Sequence, residues 1–426
     1  MASATAHPVH PAWDGVIVGG GGGGLALALL LARAGLRVAV LERSRKGSGA
    51  KARGEIIQPN GLKVLDQLGL LQALQGADVY RWRRVHFARA DGAALATLDY
   101  QTLAPPYNRA LVVLPEAIEQ VFLASVSKIP GIEIFWDAAF VSLIWEEDRV
   151  IGVVADTPAG RRPFYASVVV GADGPRSKTR AAMGISDSLH VYANGYFTAI
   201  LPRPDGFEDD LRFYLGKGVF FAAMPASEKQ MYMLYQAPLK DRGRMEAEGI
   251  AAFKANLLAL NPQVAEWMAS PLANLVSWEQ APFTPCYRVR CARWVVHGAA
   301  LMGDAAHAMN PHVAQGRNAA MADAVVLSRV LVDCFRRRDF SQDALSAYEA
   351  SRRPEIDAYQ RLSDELTWLW ESRFPPLIWA RERTFRAIQQ EPRLRDKILS
   401  TIAGIHLQPF NLYDRWRALH LWGALS

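Results

Sequence analysis

The stretch Val16-Ile17-Val18-Gly19-Gly20-Gly21-Gly22-Gly23-Gly24-Leu25-Ala26-Leu27-Ala28-Leu29 decides the fold. A short β-branched run stops at six consecutive glycines, and an apolar, helix-like run from Leu25 to Ala34 follows. Leu36 to Leu41 is a second apolar strand, closed by Glu42 and Arg43. Strand, helix and strand in this order form a βαβ unit. Because both strand runs are nearly all apolar rather than alternating, they belong to a parallel sheet covered by helices on both faces. The uncharged segment Gly15 to Ala32 is long enough to pass for a membrane span. Its glycines exclude that reading, since each costs about 1 kcal/mol relative to alanine inside a helix.

Gly19, Gly21 and Gly24 stand at G-x-G-x-x-G spacing. The first glycine allows a tight turn, the second lets a pyrophosphate approach the backbone, and the third lets the helix pack closely on the strand. The helix beginning near Gly24 aims unsatisfied N–H groups and its positive dipole end at the phosphates. Glu42 lies 18 residues beyond Gly24, where a carboxylate accepts hydrogen bonds from ribose hydroxyls, with Arg43 beside it. Two further turns share a pattern. Val168-Val169-Val170-Gly171-Ala172-Asp173-Gly174-Pro175 runs from a buried strand into an Asp-Gly turn, and Ala300-Leu301-Met302-Gly303-Asp304-Ala305-Ala306-His307 continues through Pro311 and Gln315-Gly316-Arg317-Asn318 to Asp323. Taken singly, each also reads as an ordinary strand-to-helix turn capped by aspartate.

The chain of 426 residues is long enough for two or three domains. It is half hydrophobic and 21% charged, which excludes a disordered or fibrous chain. The net charge of +6 is spread among interspersed acids and bases, so general nucleic-acid binding is disfavoured. Cys286, Cys291 and Cys334 support neither a disulfide framework nor a zinc site, and no other metal-ligand spacing occurs. A cytoplasmic setting is expected, and Met1 to Trp13 does not read as a signal peptide. The expected architecture is α/β: a Rossmann-like domain (1–79, 107–187 and 285–360) interleaved with a mostly antiparallel sheet domain (80–106 and 188–284), then a helical region (361–426). The sheet domain is drawn from runs at Gly195–Leu201, Leu211–Leu215, Val219–Met224 and Met231–Gln236.

In order and spacing, the glycine loop, the Asp-Gly turn and the Gly-Asp turn resemble those of the FAD-dependent aromatic hydroxylases, single-component flavoprotein monooxygenases of the para-hydroxybenzoate hydroxylase type. The resemblance runs from Val16 to about Pro354 and includes Tyr348-Glu349-Ala350-Ser351-Arg352-Arg353-Pro354. It implies that Gly19, Gly21 and Gly24 hold the FAD diphosphate and Glu42 the adenosine ribose. Asp173 and Gly174 match a stretch implicated in both FAD and nicotinamide binding. Gly303 and Asp304 match the ribitol contact, and the loop Pro311, Gln315, Gly316, Arg317 and Asn318 lies beside the isoalloxazine. Arg53 matches an arginine that reaches the FAD phosphates and the nicotinamide cofactor. NADPH or NADH would bind transiently, since a single glycine motif is present. The implied reaction uses O₂ and a flavin C4a-hydroperoxide kept from water.

The chain departs from that pattern in places. Gly22 and Gly23 replace a common Pro-Ala or Ser-Ala, implying a looser phosphate loop. Ala314 and Ala320 replace common glycines, and Leu114 to Ile118 lacks a polar residue that contacts FAD in many relatives. His312, beside Pro311, is the less usual feature. These two are the candidate catalytic positions, His312 because an imidazole titrating near neutral pH can tune the ionisation of a substrate. Tyr196, Phe213, Tyr214, Phe220, Phe221, Met224, Tyr232 and Tyr235 are candidates to line a flat aromatic ligand. The C-terminal region carries ten Lys or Arg against seven acids, with Trp368, Trp370, Trp379, Trp416 and Trp422. It reads as packing on the flavin domain or a dimer contact, or as peripheral membrane contact. The expected partners are a small aromatic substrate and O₂, with the protein a monomer or homodimer. Alternatives are an FAD-dependent reductase of a prenyl or polyketide-like substrate, or a non-catalytic FAD- and ligand-binding protein. A flavin-dependent halogenase is disfavoured, because Trp368-Leu369-Trp370 comes far too late in the chain.

Overall fold

The computed structural model describes residues 12–48, 55–75, 79–408 and 410–420. The βαβ unit is present as the Trp13–Val18 strand, the Gly22–Arg33 helix and the Val38–Leu41 strand. Strands run in the order Val295–Val296, Ala299–Leu301, Gly160–Gly171, Trp13–Val18, Val38–Leu41 and Ile132–Phe135. The four pairings from Ala299–Leu301 across to Ile132–Phe135 are parallel. An antiparallel ribbon, Ala139–Glu146 with Arg149–Thr157, continues from the long Gly160–Gly171 strand. Val16, Ile17, Val38, Val40, Val168 and Val169 have no exposed surface, as expected of strands covered on both faces.

Register explains why the separated motifs meet. Val18 is level with Gly171 on one side and Leu41 on the other, and Gly171 is level with Leu301. Gly19, Glu42, Asp173 and Gly303 each follow within two residues of that common line. All four therefore stand at the carboxyl ends of adjacent parallel strands, where open α/β sheets bind ligands.

The second sheet has seven strands in the order Phe283–Cys291, Asp187–Pro202, Gln230–Pro238, Phe220–Pro225, Leu211–Leu215, Arg84–Arg89 and Ala94–Asp99. It is antiparallel except where Leu211–Leu215 runs parallel to Arg84–Arg89. Helices Ile250–Leu258 and Pro262–Ala273 cover one face, burying Phe197, Phe221, Met233, Phe253, Val264 and Met268 together. Sequence reading misses these helices. Asn261 caps the second by accepting from Val264 N at 2.8 Å, and Pro262 occupies its first turn, so Asn-Pro was the usable start signal. The other face packs on Val313 and on the C-terminal helices through Leu366, Trp370, Phe385 and Ile388. The tail is expected to pack on the flavin domain, but these residues lie against the second sheet. Among the described residues, no helix is long and apolar enough to cross a membrane.

Candidate active site

The glycine loop is packed by backbone. A Cβ on Gly19, where φ is +114°, would come within 2.3 Å of Ala172 O, and one on Gly24 within 2.2 Å of Gly19 O. A Cβ on Gly21 would meet nothing, so this glycine leaves open space in front of the helix. The Gly22–Arg33 helix has no side-chain cap and no acid in its first turn. Its free N–H groups fit a diphosphate. Glu42 sits beside them, accepting from Gly20 N and Ser44 N at 2.8 Å each. Arg43 is exposed, and Arg53 lies outside the described residues.

Packing also accounts for the extra glycines. The Arg317 guanidinium occupies the space above Gly22, where a Cβ would lie 2.5 Å from Nη1. Arg317 pairs with Glu55, and burial draws its pKa down to about 10. A Cβ on Gly23 would lie 3.0 Å from the Ala320 methyl and 3.1 Å from Met302 Cε. The methyl missing from one helix is thus carried by the facing helix, and the expectation of a loose loop gives way to a filled contact. We predict that Gly23→Ala destabilises the fold, because crowding of Ala320 and Met302 outweighs the roughly 1 kcal/mol gained in helix propensity. Adding Ala320→Gly should recover about 1 kcal/mol or more as coupling energy in a double-mutant cycle read by urea denaturation. Additive effects would contradict the exchange.

Asp173 hydrogen-bonds within its own turn, accepting from Thr179 N and Oγ1 at 3.1 Å. Behind it Arg180 donates to Ala305 O at 2.8 Å and pairs with Asp187, tying the Asp-Gly turn to the Gly-Asp turn. Gly303, with φ +57° and ψ −143°, donates its N–H to Asp323 Oδ2 at 2.9 Å. His307 Nε2 lies 2.6 Å from the same oxygen, and Arg352 Nε donates to Oδ1 at 2.8 Å. Burial alone would push the Asp323 carboxyl up, but His307 and Arg352 outweigh it and hold it at about 2. Arg352 belongs to the Tyr348–Pro354 stretch, whose part is structural. Asp304 is exposed beyond the strand end.

The next loop positions the helix Gly316–Arg337. Asn318, fully buried, donates to Ile56 O and Ala314 O at 3.0 and 2.8 Å and accepts from Gln58 N at 3.1 Å. Gln315 accepts from Asn60 Nδ2 at 2.9 Å and donates to Ile402 O at 2.7 Å. Both side chains serve the scaffold, while the helix N-terminus at Gly316 has no side-chain cap. Ala314 takes φ +50° and ψ +37°, so this alanine stands at a position that favours glycine. Ala314→Gly should therefore stabilise the protein by about 0.5–1 kcal/mol, the left-handed strain relieved less the added unfolded-state entropy. The urea midpoint checks this, and a lower midpoint would contradict it.

His312 is almost completely buried, whereas Pro311 is exposed. Its Nδ1 shares a 2.9 Å hydrogen bond with the Tyr196 hydroxyl. Glu371 Oε1 lies 3.1 Å from Nε2 but out of line for a hydrogen bond. Glu371 in turn accepts from Asn194 Nδ2 at 2.5 Å. The imidazole joins a cluster with Phe220 and Trp370, its centroid 5.3 and 5.2 Å from theirs, while those two rings stack on each other at 5.7 Å. Burial first, then Cys286 and Glu371, push the Tyr196 hydroxyl well above its ordinary pKa, keeping it protonated. Tyr196, Phe213, Phe220, Met224 and Tyr232 share this face of the sheet. Tyr214, Phe221 and Tyr235 do not. Phe221 stacks on Trp267 and Tyr235 meets Phe253 edge-on, beneath the helices missed in the sequence. A strand alternates its side chains, so a list drawn from aromatic content alone mixes both faces. Glu371 and Trp370 were missed as well; the signal was an acid directly after a Trp-rich helix. Among the described residues no cluster could hold a metal ion.

A parallel sheet with a glycine loop, an acid and two Asp turns at its carboxyl edge, roofed by an aromatic sheet, defines a dinucleotide-dependent oxidoreductase. The chain belongs to the FAD-dependent aromatic hydroxylase family, with residues 13–363 matching the family described as FAD binding domain. It is 31% identical over 363 residues to a 6-methylpretetramide 4-monooxygenase of Streptomyces rimosus, covering 84% of this chain and 85% of that one. It is 26% identical over 393 residues to a ubiquinone hydroxylase of Rhodospirillum rubrum, covering 88% and 86%. The crystal structure of p-nitrophenol 4-monooxygenase from Pseudomonas putida DLL-E4 shares the fold with TM-score 0.75 at 20% identity, covering 92% of this chain and 98% of that one. The protein is a flavin-dependent monooxygenase, with FAD as cofactor and NAD(P)H as co-substrate.

Proposed function

We propose that the protein hydroxylates an aromatic or quinone-like molecule bearing an ionisable ring hydroxyl. The buried Tyr196–His312–Glu371 chain, beside the Pro311–Asn318 loop, carries this reading. The flavin supplies the activation of oxygen when bound. In this reading Gly19, Gly21 and Gly24 hold its diphosphate and Glu42 its ribose. Asp173, Gly303 and Asp304 frame the remainder, and Arg317 supplies positive charge above Gly22. The backbone N–H groups at Gly316 favour negative charge on the ring system.

The protein's own part in the chemistry is proton handling and dryness. A ring hydroxyl that loses its proton turns its ring into a stronger nucleophile. The Tyr196 hydroxyl accepts a hydrogen bond from the substrate and passes its own proton to His312 Nδ1, while the Glu371 carboxylate stabilises the resulting imidazolium. Phe213, Phe220 and Met224 exclude water from this side, in keeping with an oxygen chemistry that water would waste. A screen of phenols, enols and quinones tests the reading by measuring ligand-stimulated NAD(P)H and O₂ consumption and an added oxygen in the product. Stable FAD with no stimulation by any of them would leave a ligand-binding protein. Substrate reduction without O₂ use would mark a reductase.

A further inference from the structure

A cavity of about 420 Å³ lies among the C-terminal helices Gln342–Trp370, Pro375–Gln390, Pro392–Ile402 and Leu412–His420. It is large enough for a small apolar molecule. Leu366, Leu369, Phe385, Ile388 and Ile398 give it apolar walls. Phe87 and Trp370 divide it from the active site: both line it, and Trp370 stacks on Phe220 and His312.

Arg361, Glu365 and Arg415 also line it, but the buried cation among these walls is Arg381. Arg381 is 1% exposed, and no carboxylate among the described residues lies within ion-pair distance of it. Its hydrogen bonds both leave from Nη1, at 3.0 Å, to Gly216 O and Trp370 O, while the buried Nε has no partner. Neighbouring Glu382 is turned to Arg89 and Arg386, and Glu365 at the cavity is taken by Arg415. Burial lowers the Arg381 pKa, yet a guanidinium keeps its proton in proteins. A buried charge without a contacting counter-ion is costly, and a bidentate anion is what a guanidinium fork fits best. Trp368, 62% exposed, lines the cavity where it meets solvent.

We propose that this cavity is a binding site for an apolar carboxylic acid, its chain among the Leu, Ile and Phe side chains and its carboxylate on Arg381. The site is independent of the hydroxylation proposed above.

Dodecanoate and dodecanol are the matched probes, titrated below their micelle limits into the FAD-loaded, delipidated full chain by isothermal calorimetry. Dodecanoate is expected to bind at one site about tenfold or more tighter than dodecanol, the size of one charge-assisted contact. Arg381→Met should abolish that preference with flavin content and circular dichroism unchanged. Ala380→Phe, which fills the cavity beside Arg381, should abolish binding of both probes. Equal affinity for the two probes, a preference that survives Arg381→Met, or binding that survives Ala380→Phe would overturn the proposal. Should Arg381→Met not fold, the probe preference in the natural chain and the Ala380→Phe variant carry the test. Phosphatidylglycerol vesicles are the control for a bilayer source. Flotation that depends on Arg381, with no dodecanoate binding, would assign the cation to a membrane surface and overturn the site.

Discussion

Asp323→Asn is expected to cost about 3–5 kcal/mol of folding stability, enough to leave little folded, flavin-loaded protein. The carboxylate is completely buried and serves His307, Arg352 and the Gly303 N–H at once. An amide keeps the shape but removes the charge, leaving Glu355 as the one carboxylate paired with Arg352, beside its hydrogen bond to Ala319 O. The loss would fall at the turn bearing Gly303, so flavin retention should suffer alongside stability. The acid limb supplies an independent check. A carboxyl held at about 2 in the folded protein contributes stability above the ordinary value near 3.9, and that contribution fades as pH falls from about 5 towards 2. Urea midpoints measured across that range should drop in the natural protein and lose this portion of the slope in the variant. A cost below about 1 kcal/mol would show that the three partners are satisfied without Asp323.

The parallel sheet and its motifs were legible because each rests on local constraints. Gly19 and Gly24 have carbonyls where a Cβ would go, and Val16 to Val18 is apolar because both faces are covered. What no local pattern carries is the face on which a residue ends. Phe220 and Phe221 are adjacent and chemically alike, yet one stacks on His312 and the other on Trp267. That division is set by helices at Ile250–Leu258 and Pro262–Ala273, far along the chain. Glu371 likewise reaches His312 only because the Gln342–Trp370 helix returns across the sheet. Gln315 and Asn318 sit in the motif where the resemblance places them, but their amides are spent on Asn60, Ile402 and Ile56. The reason for each exchange of glycine for alanine was also hidden. Gly23 and Ala320 compensate each other across a helix contact, and only the contact reveals the pair.

His312→Phe should lower the turnover of a hydroxyl-bearing substrate by roughly 10²–10⁴-fold, the usual worth of a positioned proton acceptor. Phenylalanine keeps a ring packed against Phe220 and Trp370, so the aromatic cluster survives and FAD content should not change. What disappears is the link between the Tyr196 hydroxyl and Glu371. With no acceptor behind it, Tyr196 holds its proton, because burial keeps its own ionisation far above neutral pH. The substrate then stays protonated and its ring less reactive, while NAD(P)H is still consumed. Hydrogen peroxide should therefore account for most of the O₂ used. Glu371→Gln separates this reading from a packing role: it removes the charge facing Nε2 without altering the aromatic stack, and should reproduce the uncoupling in weaker form. A relative bearing a ring hydroxyl already methylated would bypass the proton step, so its turnover should fall little in either variant. Unchanged rate and coupling in His312→Phe with the free hydroxyl would remove His312 from the chemistry, leaving it a packed residue of the loop.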